Sequence, residues 1–199
     1  MQTIIITGPS GSGKTYLANK ISKDFKCTII INTDSYYRDN LFIKFLSIFM
    51  NDIYDRLISI KKRDLLKTIE SIYCNRETIT LYNYDFKTKK SSKLIRKKLN
   101  KIQLIIVEGV FSHRIKLNYK SSLNILCKGK KEICYKRRLK RDEIERGRNK
   151  NEVNRKFKRS WDLYYKNLTS YIDQNDVYEV NTNENFSYDI LINKLKEID

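Results

Sequence analysis

Four short runs of apolar and mostly β-branched residues are spaced along the chain: Thr3-Ile4-Ile5-Ile6-Thr7, Cys27-Thr28-Ile29-Ile30-Ile31, Leu104-Ile105-Ile106-Val107 and Leu123-Asn124-Ile125-Leu126-Cys127. Runs this short, apolar at successive rather than alternate positions, predict parallel strands covered on both faces. Val177-Tyr178-Glu179-Val180 predicts a last strand, and Ile79 to Tyr84 a weaker, more exposed one. Between them the pattern turns helical. Tyr16, Leu17 and Ile21 share one face of a helix from Lys14 to about Ile21, and Leu41 to Leu66 has the mixed spacing of one or two helices. Further helices are predicted over Lys131 to Arg146, Val153 to Tyr171 and Tyr188 to Ile198. Strands alternating with helices imply an α/β fold: an open, mainly parallel sheet of about five strands with helices on both faces. Ligands in such folds bind in the crevice beyond the strands' carboxyl ends.

A chain of 199 residues suits one domain, 1–199, burying roughly 70% of the surface its unfolded form exposes. No internal repeat or low-complexity linker divides it. No run of about eighteen apolar residues occurs, and the chain enters its first strand without the regions of a secretory signal, so a soluble, cytoplasmic protein with no membrane partner is expected. Cys27, Cys74, Cys127 and Cys134 have no paired metal spacing and are expected as free thiols. The formal charge of +18 raises the question of a nucleic-acid partner. Ala18 is the only alanine and Pro9 the only proline, while Lys, Asn, Ile and Tyr abound throughout. That points to a general compositional drift and a diffusely basic surface, which argues against a dedicated nucleic-acid patch. A homo-oligomer is compatible with the sequence, which does not fix the number of copies.

The first strand runs directly into Gly8-Pro9-Ser10-Gly11-Ser12-Gly13-Lys14-Thr15 and then a helix, the context in which a glycine-rich loop cradles phosphate. Glycine permits backbone conformations closed to other residues, so successive N–H groups turn inward at the positive end of the helix. Gly8, Ser10, Gly11, Ser12, Gly13, Lys14 and Thr15 are therefore expected to bind ATP, with Lys14 at the β- and γ-phosphates and the Thr15 hydroxyl on Mg²⁺. Donor choice between ATP and GTP is left open. Asp34, two residues beyond the second strand, reads equally as a base facing a substrate hydroxyl or as a helix cap or Asx-turn. Glu108, at the end of a buried strand, reads as a Mg²⁺ ligand or a solvated loop carboxylate. In the segment Arg137 to Arg148, the pairs Arg138–Asp142, Arg141–Glu145 and Asp142–Arg146 suffice for an exposed, salt-bridged helix ended by Gly147. The alternative is a lid, around 131–150, whose arginines close over a triphosphate.

Together these elements resemble the uridine kinase (uridine-cytidine kinase) family of P-loop kinases. The matches are the P-loop Gly8 to Thr15, Asp34-Ser35-Tyr36-Tyr37, Tyr84-Asp85-Phe86, Glu108-Gly109 and the arginine segment Arg137 to Arg148, in family order over residues 1 to about 160. The resemblance implies a P-loop NTPase-type sheet with a helical arginine-rich lid. It also implies that Asp34 is the catalytic base at a nucleoside 5′-hydroxyl, with Tyr37 nearby, and that Tyr84 and Phe86 flank the substrate ring. Thr15 and Glu108 would serve Mg²⁺, Lys14 and Arg141 the transferring phosphate, and Arg138 and Arg148 the phosphate or nucleoside. The implied reaction is ATP-dependent phosphorylation of uridine or cytidine.

Three positions depart from the family. Lys89 stands near the place of a base-reading histidine, and the chain's one histidine is His113. Lys156 replaces a glutamine, and the Phe-Asp-His-Pro element is not recognisable around Phe49-Met50-Asn51-Asp52. A related kinase acting on another alcohol, such as another nucleoside or a phosphorylated sugar, is the second expectation. A nucleic-acid-binding ATPase, for which only the charge argues, is the third.

Overall fold

The computed structural model describes residues 1–50, 53–97, 102–117, 123–182 and 185–197; Asn51, Asp52 and Ile198, named above, lie outside them. In chain order the strands are β1 (Gln2–Thr7), β2 (Thr28–Asn32), β3 (Thr78–Asp85), β4 (Lys90–Lys97), β5 (Leu104–Glu108), β6 (Leu123–Lys128) and β7 (Val177–Asn181). The helices are α1 (Lys14–Asp24), α2 (Leu41–Phe49), α3 (Lys62–Tyr73), α4 (Lys131–Arg146), α5 (Lys150–Gln174) and α6 (Asn185–Glu197).

Five strands form one sheet in the order β2-β5-β1-β6-β7, every neighbouring pair parallel. Because successive side chains on a strand face opposite ways, Ile4, Ile6, Ile106 and Ile125 point to one side. There they pack on Leu17, Ala18 and Ile21 of α1 and on Leu191 and Leu195 of α6. Ile105 and Val107 point to the other side, against Leu65, Ile69 and Ile72 of α3. Leu126 meets Tyr164 and Leu168 of α5 in a third cluster. The sheet is thus covered on both faces, as the unbroken apolar runs required.

The structure adds one strand to those expected. The weak strand over 79–84 is β3, and it lies outside the main sheet, in an antiparallel hairpin with β4. The mostly polar sequence of β4 gave no sign of a strand. The turn between them is held by Asp85, whose carboxylate accepts from the Lys87 and Thr88 amides and the Thr88 hydroxyl. The hairpin is tied to α3 by Thr68 Oγ1, which donates to the Thr80 carbonyl at 2.7 Å. The Leu41 to Leu66 stretch is two helices, α2 and α3, separated by two short 3₁₀ turns. All four cysteines are free; Cys127 and Cys134 are buried, Cys27 and Cys74 exposed. Among the described residues no helix is long and apolar enough to cross a membrane.

β1 is the central strand, with Ile4 fully buried between Ile106 and Leu123. Ile4→Ala is expected to lower stability by roughly 2–5 kcal/mol through lost transfer energy and the cavity it leaves. Urea denaturation measures this, and a loss below about 1 kcal/mol contradicts the assigned core position.

Candidate active site

Burial of β1 carries the chain straight into the glycine loop at the sheet's carboxyl edge. Gly11 and Gly13 adopt φ of 87° and 88°, the left-handed region that favours glycine, and Gly13 caps α1. A Cβ at Gly11 would fall 2.2 Å from the Cys134 carbonyl oxygen, so the loop can pass α4 at this point only as glycine. Lys14 is 7% exposed and its Nζ donates to the Pro9 carbonyl at 3.0 Å, folding the ammonium back over the loop. Burial lowers its pKa, against the opposing pull of Glu108 and Asp34.

Parallel pairing aligns the ends of β1, β2 and β5, with Ile6 opposite Glu108 and Asn32 opposite Glu108 on the other side. Thr15 Oγ1 therefore meets Glu108 Oε1, donating to it at 3.1 Å. Glu108 is 2% exposed, not a solvated loop carboxylate, and burial pushes its pKa up to about 7 despite Lys14. A carboxylate and a hydroxyl so placed fit a divalent cation, whose charge would offset the desolvation. Among the described residues no three His, Cys, Asp or Glu side chains converge. One carboxylate and one hydroxyl side by side fit Mg²⁺, which is bound by one or two protein ligands with ligand phosphates and water completing the shell. The glycine loop, with Ser12 Oγ buried and unpartnered among the described residues, fits the phosphates.

The 3₁₀ turn Thr33–Tyr36 is capped by Asn32, whose side chain accepts from the Asp34 amide at 2.7 Å. The Asp34 carboxylate is not the cap. Its Oδ1 is buried without a partner among the described residues. It lines an inner pocket with Ser10 of the loop and Arg141. Tyr37 and Phe86, together with Arg138 and Arg146, form walls shared with an outer cleft that adds Tyr84, Tyr54, Arg148, Lys89 and Lys156. Tyr37, Tyr84 and Phe86 pack around one another with ring centroids 5.1 to 5.8 Å apart. Every non-loop residue that the sequence singled out for catalysis or substrate therefore lines one of two adjoining cavities.

Two of the three expected ion pairs on the arginine helix form, Arg138–Asp142 and Arg146–Asp142, but around a buried carboxylate rather than on an exposed face: Asp142 is fully buried and Arg138 is 5% exposed. Arg141 pairs with Asp142, at 2.7 Å, rather than with Glu145. Asp142 also takes Arg148 at 2.8 Å, Arg146 at 3.5 Å and Arg138 at 3.6 Å. Gly147, at φ 62°, ends α4 in a left-handed turn, which lets Arg148 double back to that carboxylate. These guanidinium groups hold the Asp142 pKa below its ordinary value, overcoming burial, the largest opposing influence.

Sequence reasoning missed three site residues. Tyr54 lies in a stretch without a motif. Arg146 was read only as an ion-pair partner, yet its guanidinium lies 3.7 Å from the Phe86 ring centroid. Ser160 accepts from Arg138 at 2.5 Å across 22 residues, which no local pattern reveals. His113, by contrast, is structural: Nδ1 lies 2.8 Å from Thr7 Oγ1, and burial drops its pKa to about 4.

A model of the Phosphoribulokinase / Uridine kinase family matches residues 3–187. A uridine kinase of Clostridium novyi is 32% identical over 146 residues, 72% of this chain and 69% of that protein. Uridine kinase-like protein 3 of Arabidopsis thaliana is 24% identical over 146 residues, 72% of this chain, a match spanning only 31% of its length. The fold resembles the solved structure of a Bacillus stearothermophilus protein described as a possible uridine kinase. The TM-score is 0.60 at 18% identity, covering 88% of this chain and 86% of the other.

The buried Glu108 generates a pH dependence. Its folded pKa, about 7, lies above the ordinary glutamate value of 4.5, so the folded chain binds more protons than the unfolded one between those values. Stability of the ligand-free protein accordingly falls as pH rises through that window, on the order of 3 kcal/mol from this group. Glu108→Gln is expected to remove that part of the slope in urea denaturation at pH 5 and pH 7.5. Parallel slopes for the two proteins contradict the burial of a proton-holding Glu108.

Proposed function

The chain belongs to the phosphoribulokinase/uridine kinase family, and from that premise we propose that it transfers a phosphoryl group from ATP to the 5′-hydroxyl of a nucleoside, uridine or cytidine first among them. The observation that carries this reading is the inner pocket, lined together by Ser10 of the glycine loop, Arg141 and Asp34, whose Oδ1 is buried with no hydrogen-bond partner among the described residues. Phosphoryl transfer needs little covalent help from a protein and much positioning, so three such groups around one space are what the chemistry demands. Asp34 orients the acceptor hydroxyl and takes its proton as the oxygen–phosphorus bond forms and the bond to the β-phosphate oxygen breaks, releasing ADP. Lys14 and Arg141 meet the charge on the transferring oxygens. Thr15 and Glu108 would hold Mg²⁺, which would supply further neutralisation of the phosphates. Tyr37, Tyr84 and Phe86 offer flat walls to a planar base, with Arg138 and Arg148 beside them. Within the single domain we assign to 1–199, α4 and the turn after it act as a lid that carries the arginines over the donor.

Asp34→Asn is expected to keep ATP binding and to lower turnover roughly 10²–10⁴-fold, the range for loss of a general base. Unchanged turnover removes Asp34 from that role. Lys14→Ala should weaken triphosphate binding and turnover together; unaltered kinetics refute its assignment. The reading as a whole is tested by phosphorylated product from a panel of nucleosides and sugar alcohols with ATP·Mg²⁺. ATP consumption stimulated by RNA or DNA and by none of these acceptors overturns it.

A further inference from the structure

The place of Asp34 in the inner pocket depends on the residue before it. Thr33 opens the 3₁₀ turn, is fully buried, and its Oγ1 has no hydrogen-bond partner among the described residues. Packing alone therefore places this side chain, and it packs on Gly109. A Cβ built on Gly109 would fall 1.9 Å from Thr33 Oγ1 and 3.1 Å from Thr33 Cβ, so the threonine occupies the space that a side chain at 109 would need. Oγ1 sits one bond from Cβ on a β-branched stem and cannot swing clear as the end of a long side chain can. The two residues fit only because position 109 is bare.

Gly109 is itself held in place. Its amide donates to the Ile6 carbonyl near the end of β1, at 3.2 Å, and its carbonyl accepts from Ser112 Oγ at 2.9 Å. It follows Glu108 directly, and Glu108 pairs in register with Asn32, the residue before Thr33. The contact thus lies one residue beyond the last paired position of β2 and β5, where the ladder no longer dictates spacing. Asn32 holds the Asp34 amide, and Tyr36, 1% exposed, anchors the far end of the turn by donating to Thr68 Oγ1 at 3.1 Å. What is left for sterics to set is how closely the Asp34 turn approaches the end of β5.

Resting on the reading of Asp34 as the base, we propose that Thr33, seated on Gly109, is a positioning residue that sets the distance between the base and the edge formed by the glycine loop and Glu108. Thr33 lines neither the inner pocket nor the outer cleft, so it acts through Asp34. A misplacement of about 1 Å can cost on the order of 10²-fold in rate, so a contact next to the base bears on turnover more than on donor binding. The glycine of Glu108-Gly109 has in this way a task separate from that of the carboxylate beside it.

The test measures phosphorylation of uridine, or of the panel member turned over fastest, with ATP·Mg²⁺. Thr33→Ala, which empties the seat, is expected to lower kcat about tenfold or more and to leave KM for ATP within about twofold. Thr33→Val keeps the shape without the hydroxyl, and its kcat is expected to stay within about threefold of the unaltered chain. In the Asp34→Asn chain, Thr33→Ala is expected to cost less than about twofold, because the group it positions is gone. Gly109→Ala combines steric overlap with strain at φ 148°, and its cost is expected to be smaller in the Thr33→Ala chain, where the overlap is relieved. Urea denaturation checks that each variant is folded in the assay, and if Gly109→Ala is not, the two Thr33 variants carry the test. Full turnover in Thr33→Ala, an undiminished Thr33→Ala loss in the Asp34→Asn chain, or Thr33→Val as impaired as Thr33→Ala overturns this inference and leaves the kinase reading standing. Full turnover in Asp34→Asn, or product from no acceptor, overturns the reading of Asp34 and this inference with it.

Discussion

A parallel strand buried on both faces can carry chemistry only where it ends. β1 has no polar side chain in its middle and lies at the centre of the sheet, with β5 on one side and β6 on the other. The first place at which this strand can present backbone amides to a ligand is its carboxyl end, where Gly8 to Thr15 turn into α1. The in-register pairing of β1, β2 and β5 then sets Glu108 and the Asp34 turn at the same edge. Everything proposed for the site follows from that alignment, because the same carboxylates on antiparallel strands would point to opposite ends of the sheet.

The arginines pose the opposite problem, that of holding like charges together. A buried carboxylate amid four guanidinium groups is costly to desolvate, and such networks are poor evidence of stability. Here Asp142 serves position instead. It fixes Arg138, Arg141, Arg146 and Arg148 relative to the pocket, leaving Arg141 Nη2 within 3.4 Å of Ser10 Oγ on the loop. Arg146 sits in a field of its own kind, and burial together with Arg141 lowers its pKa to about 10. Its stacking on Phe86 links the helix to the β3–β4 hairpin, so the two sides of the outer cleft are joined by a contact between a cation and a ring.

The outer cleft, proposed above to hold the acceptor, is built from pieces with little in common locally. Tyr37 follows a 3₁₀ turn and bridges to Ile60, Tyr84 comes from the end of β3 and Phe86 from the turn after it, and the cations come from α4, the turn after α4, α5 and the hairpin turn. A cavity assembled in this way can change its chemical preference through two or three side chains without disturbing the phosphate loop. That separation allows a recognisable glycine loop to coexist with a differently lined outer cleft.

The sequence by itself determined the parallel sheet, most of its elements and the phosphate loop, since each rests on short-range patterning: unbroken apolar runs, helical spacing, and glycines where only glycine fits. It named Asp34, Glu108 and the arginines as candidates but left their surroundings undecided. Only the tertiary structure decided that Asn32 and not Asp34 caps the turn, that Glu108 is buried against Thr15, and that Asp142 gathers its arginines inward. Those outcomes depend on what lies across the fold. Burial, hydrogen-bond competition and charge clustering are set by neighbours distant in the chain, as when Ser160 and Asp142 meet the same Arg138.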